Sequence, residues 1–146
     1  MDELFAALLS WAVTLSGYPA PAQAPEVVTV SHAYFVENAC GGSECKVYGW
    51  YAGGQNLYLD ERMDPEENLL ASSVVVHEMV HYLQGLSRNG GAPAKGAAFG
   101  DLPSCADAMD MEHEAYAVQR EFLLRFGVYQ PVGVSMLRVG CDSHEH

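Results

Sequence analysis

Basic residues are scarce in this chain of 146 residues. Lys and Arg number 7 against 19 Asp and Glu, a formal net charge of -12. A surface of that sign repels phosphate backbones, which argues against nucleic acid as a partner. A long hydrophobic run is also missing. The nearest, DELFAALLSWAVTLSG, opens on Asp2 and Glu3, has no basic residues before it and is too short to cross a bilayer comfortably. No membrane span is therefore expected. No CxxC pair occurs, which disfavours a cysteine-built zinc site. Neither an internal repeat nor a linker interrupts the chain, so residues 1–146 are read as one domain. With 49% hydrophobic residues the chain can bury a real core, and disorder is not expected.

The cysteines are Cys40, Cys45, Cys105 and Cys141. Cys40 and Cys45 flank GGSE, a turn flexible enough to close a small ring. Cys105 would then pair with Cys141 and tie a late helix to the C-terminal tail. Reduced thiols are the alternative. Disulfides imply an oxidising compartment, hence a secreted or periplasmic protein, with Met1 standing where a signal peptide has been removed.

Leu4, Leu8, Trp11 and Leu15 recur at helical steps, predicting a helix from Asp2 to Ser16 with Gly17 beyond its end. YPAPAQAP cannot continue it. EVVTVSHAYFV, KVYGWYAGG and QNLYLDE read as strands, the last two joined by a tight turn at Gly53-Gly54. A second long helix is expected from Pro65 to Leu83 or Gln84, with Asp64 as N-cap and Glu67 completing a capping box. A loop follows. A third long helix starts after Ser104 and stops at Gly127, with a short helical turn near Val134–Val139. The fold class is α+β: a small antiparallel or mixed sheet of about three strands packed on two long helices, with an N-terminal helix.

The middle helix carries the chemistry. Within SSVVVHEMVHYLQGL, His77 and His81 lie four residues apart, so both imidazoles point from one helix face. Neutral imidazole nitrogens bind zinc at about 2.0–2.1 Å. Glu78, rotated by about 100°, is poorly placed as a ligand but can reach a water beside the metal. Two histidines on a helix are often satisfied core or surface groups, and so short a motif also arises by chance. The apolar setting of Val74, Val75, Val76, Val80 and Leu83 counts against that reading, because unpartnered His and Glu there would be destabilising.

HEMVHYLQ resembles the active-site helix of the zincin metallopeptidases. The extended metzincin form is absent, since Gln84 and Ser87 stand where Gly and His would be. The gluzincin branch is the nearer likeness, and it takes its third ligand from a Glu on a later helix, usually before a small residue. MEHEAYAVQREFL fits that description. Glu114, which precedes Ala115, matches best. Helical projection puts both Glu112 and Glu114 on the rims of the apolar face and does not choose between them. The resemblance implies a minimal gluzincin-like domain in which His77, His81 and Glu114 hold Zn2+. It implies a hydrolase that cleaves a peptide or protein substrate with metal-activated water and Glu78 as general base. Tyr116, Tyr82 and His113 are nearby as oxyanion donors, though each is read first as packing or surface. His144 and His146 fall in a tail where they would bind metal only loosely. By analogy KVYGWYAGG or QNLYLDE would pair with substrate backbone. A zincin-like module that binds zinc without cleaving peptides is the alternative, and a disulfide-stabilised domain with a fortuitous motif is the third reading.

Overall fold

The structure is a computed structural model and describes residues 2–92 and 104–138. We label the elements α1 (Asp2–Ser16), β1 (Glu26–Val30), α2 (His32–Asn38), β2 (Gly49–Trp50), β3 (Asn56–Asp60), α3 (Leu69–Arg88) and α4 (Cys105–Arg125), followed by a 3-10 turn at Val134–Arg138. The α+β class is as expected, and the sheet is mixed. Its strand order is β1-β3-β2, with β1 parallel and β2 antiparallel to the central β3.

Four local boundaries differ from expectation. The first strand ends at Val30, and SHAYFV goes on as α2 instead. There Phe35 is fully buried, Tyr34 packs on Tyr58 with ring centroids 5.1 Å apart, and His32 reaches Asp60. The β2–β3 connection is longer than a two-residue turn, because Tyr51 leaves the ladder to pack edge-on against Tyr82, at 5.7 Å. Gly53 and Gly54 both take positive φ within that connection.

The middle helix begins at Leu69 rather than Pro65. Asn68 is its cap, accepting from the Leu70 and Ala71 amides at 2.8 and 3.2 Å. Asp64 caps only the single turn before it, through the Glu66 amide. Gly85 does not stop the helix, which runs on to Arg88 and closes through Gly90, at φ 65°, and Gly91. Asn68→Ala should therefore cost about 1 kcal/mol in chemical denaturation, and Asp64→Ala less. Equal losses would contradict this capping.

α3 lies at the centre, with the sheet on one side and α1 and α4 on the other. Val75, Val76, Met79, Val80 and Leu83 are buried on it, against Leu57 and Leu59 of β3, Leu8 and Ala12 of α1, and Phe122 and Leu123 of α4. From Ala71 to Leu86 the helix is buried except at Val74 and His81, so most of its polar residues must find partners within the protein. Among the described residues, no helix is long and apolar enough to cross a membrane.

The Cys40–Cys45 bridge is present and closes the GGSE ring as expected. Cys105 is not a free thiol, and its expected partner Cys141 lies outside the described residues, as do His144 and His146. On the outer face of the sheet, buried Asp60 accepts from Arg62 Nη2 at 2.8 Å and lies 3.0 Å from His32 Nδ1. His32 Nε2 lies 2.6 Å from Glu44, which ties the disulfide ring to the sheet.

Candidate metal centre

Ser73, His77, His81 and Gln84 follow one another at steps of four, four and three, which places them along one seam of α3. That seam faces α4, which runs antiparallel to α3. His77 and His81 are both largely buried, and their Nε2 atoms lie 3.2 Å apart. Glu112 Oε1 reaches both, at 3.0 Å from His77 Nε2 and in close contact with His81 Nε2. His77, His81 and Glu112 thus form a group that could hold a metal ion.

Glu114, which the resemblance made the third ligand, is not part of that group; the carboxylate beside the two imidazoles is that of Glu112. The Glu114 carboxylate accepts from the Tyr18 hydroxyl at 2.6 Å and from Gln84 Nε2 at 2.8 Å. The two glutamates are separated by about 200° of helical rotation. Glu112 shares its angle with Gln119 and Leu123 and looks at the histidines. Glu114 lies on the opposite rim, beside Val118, towards the end of α1.

The ring tautomers follow from the amides behind them. Ser73 Oγ donates to the Leu70 carbonyl at 2.6 Å, so its single proton is spent and it must accept from Gln119 Nε2 at 3.0 Å. The Gln119 oxygen then faces His77 Nδ1 at 2.9 Å, and that nitrogen must carry hydrogen. Gln84 donates through Nε2 to the Met111 carbonyl and to Glu114, so its oxygen faces His81 Nδ1 at 2.7 Å. Both histidines are held with Nδ1 as donor. In the neutral rings the Nε2 lone pairs then converge on each other and on a carboxylate oxygen, which calls for a cation. Around a tetrahedral ion with bonds of about 2.0–2.1 Å, donor atoms lie about 3.3 Å apart; the His77–Glu112 and His77–His81 pairs are near this at 3.0 and 3.2 Å, and the His81–Glu112 pair is closer.

The electrostatics agree. Burial disfavours the His81 cation, but the hydrogen bond to Glu112, the charges of Glu78 and Glu112, and Gln84 outweigh it and push its pKa up to about 9. Burial likewise disfavours the Glu112 anion, yet its hydrogen bonds to His77 and His81 hold it well below the usual carboxylate range. A proton or a metal ion would satisfy the same demand for positive charge.

The trio opens on a groove of about 1240 Å3 between α3, the 46–53 segment and α4. Glu78 lies on its floor, mostly buried, with Oε2 3.9 Å from His77 Nε2. That is too long for a direct hydrogen bond. Gly49 of β2 passes directly over it. A Cβ at Gly49 would lie 2.7 Å from Val74 Cγ1 and 3.1 Å from Glu78 Cγ. Of the two segments considered for backbone pairing with substrate, QNLYLDE supplies the central strand, with β1 on one side and β2 on the other. KVYGWYAGG supplies the edge strand and lines the groove.

Among the other residues, Tyr116 lines the groove, its ring centroid 4.4 Å from that of His77. Burial, then the charges of Glu112 and Glu78, push its hydroxyl pKa up. Tyr82 turns away and donates to the Gln23 carbonyl at 2.8 Å. His113 faces the Met136 carbonyl at 3.2 Å, outside the trio. Gln84 and Gln119 are the site residues that sequence reasoning missed. The available signal was their seven-residue spacing from His77 and Glu112 respectively, which repeats each ligand's helical face.

No family model, curated protein or solved structure matches this chain.

Proposed function

We propose that the protein is an exported zinc metallopeptidase, with His77, His81 and Glu112 as the protein ligands and Glu78 as general base. The observation that carries this reading is the convergence of two Nδ1-anchored imidazoles and a carboxylate beside a second, independent glutamate. Two imidazoles and a carboxylate suit zinc, and three protein ligands are the usual complement of a catalytic zinc with an open position. Zinc bound there would lower the pKa of water to near neutrality and polarise a scissile carbonyl.

The chain's own residues supply the rest. Glu78 takes the proton of the attacking water and returns it to the leaving amine. Its carboxylate is confined between Gly49 and the trio, so it reaches water lying between the metal ligands and the edge strand. Among the described residues no strand pairs with the outer edge of β2, and an extended peptide laid along it would run past Glu78 and His77. The burial of α3 keeps the local dielectric low, which strengthens these charge interactions. The Cys40–Cys45 bridge supports the exported location.

The test is metal analysis of the purified chain, followed by cleavage of a mixed-sequence fluorogenic peptide library. We expect about one zinc per chain, with hydrolysis abolished by chelator and restored by added zinc. Stoichiometric zinc without cleavage of any peptide would favour a binding module. Absence of zinc uptake would refute the metal centre itself.

A further inference from the structure

Glu114 lies half-buried behind the site with two donors on one oxygen, and the proposed chemistry makes no use of it. We infer that Tyr18, Glu114 and Gln84 form a positioning relay that holds His81 with its proton on Nδ1 and its Nε2 free to bind metal. The inference rests on reading His77, His81 and Glu112 as a metal centre.

The Gln84 amide is the pivot. As it stands, its oxygen faces His81 Nδ1 at 2.7 Å and its nitrogen faces the Met111 carbonyl and Glu114 Oε1 at 2.9 and 2.8 Å. Turned over, the amide would present nitrogen to His81 and favour the tautomer protonated on Nε2, which cannot ligate through that atom. The same turn would aim the amide oxygen at two acceptors, one of them a carboxylate. Glu114 therefore selects the amide orientation, and the amide selects the tautomer.

Tyr18 completes the chain by donating to the same Glu114 oxygen. It follows directly on α1, so the seating of the N-terminal helix is tied to the orientation of a metal ligand. The arm behind His77 ends differently: Gln119 leads to Ser73 and the Leu70 carbonyl, all neutral. Only the His81 arm ends on a charge, so removing that charge should affect one histidine and spare the other. Such outer partners typically contribute 10- to 100-fold to metal affinity.

The experiment compares zinc affinity, by competition with a chromophoric chelator, in the full chain and in Gln84→Leu, Glu114→Ala, Glu114→Gln and Tyr18→Phe. Nitrogen NMR of the zinc-loaded forms reports which ring nitrogen of each histidine carries hydrogen. Gln84→Leu and Glu114→Ala should bind zinc about 10- to 100-fold more weakly. The His81 signature should be disturbed and that of His77 kept. Tyr18→Phe should lose less, and Glu114→Gln, which keeps the accepting oxygen, should recover part of the loss.

Wild-type affinity in folded Gln84→Leu and Glu114→Ala would overturn the relay. Should either fail to fold, wild-type affinity and an unchanged His81 signature in both Tyr18→Phe and Glu114→Gln would overturn it equally. Loss of binding in Glu114→Ala as complete as in Glu112→Ala would make Glu114 a ligand and also end the relay. A failure of the metal centre is distinguishable, because the unaltered chain would then take up no zinc.

Discussion

Glu112→Ala is expected to abolish tight zinc binding while the chain stays folded. Protein zinc sites typically release about 10–16 kcal/mol on binding at neutral pH. Shared among the four ligands of a structural zinc site, that is roughly 2.5–4 kcal/mol each, so one lost ligand weakens binding by about 100- to 1000-fold. Among the described residues Glu112 is also the one carboxylate in hydrogen-bond contact with both Nε2 atoms. Competition with a chelator of known affinity measures the effect. Glu112→Ala with wild-type zinc affinity would remove it from the ligand set. The comparison with Glu114→Ala is quantitative: Glu112 acts on the ion directly, Glu114 through Gln84 and His81, and the direct loss should be the larger.

Glu78→Gln should leave zinc content unchanged and reduce peptide hydrolysis by about 100- to 10,000-fold, the range for losing a positioned general base. That corresponds to roughly 3–5 kcal/mol of transition-state stabilisation. The amide keeps the shape that packs under Gly49 but cannot accept the proton of water at neutral pH. The loss should fall on kcat and kcat/KM together, because the interaction develops in the transition state. Full activity in Glu78→Gln would exclude the mechanism. Loss of zinc together with activity would mean that Glu78 supports the metal instead.

The parts of this account that were legible in the sequence are those set by local periodicity. α1, α4 and the existence of α3 follow from apolar spacing and terminal signals, and the Ser104 cap is found as expected, accepting from the Asp107 amide. The His77–His81 pair needs only one helix to be formed. What was not legible depends on contacts between elements. Asp64 and Asn68 are both good caps, and the choice went to the one whose side chain takes two amides. SHAYFV is strand-like in composition, but Phe35 and Tyr34 bury better as a helical turn against the sheet.

The glutamate on α4 is the most instructive case. A small residue after Glu114 was a weaker guide than the helical phase of its neighbours. Gln119 repeats the angle of Glu112, while Val118 flanks Glu114. A polar stripe on α4 facing a polar seam on α3 marks the shared site. Seeing it required knowing that the two helices pack antiparallel along those faces.

The most direct measurement is diffraction from crystals of the zinc-soaked chain at wavelengths either side of the zinc edge. The expected result is one anomalous peak about 2.0–2.2 Å from His77 Nε2, His81 Nε2 and a Glu112 oxygen. A map without a peak among those three atoms, or with zinc bound to Glu114 in place of Glu112, would contradict it.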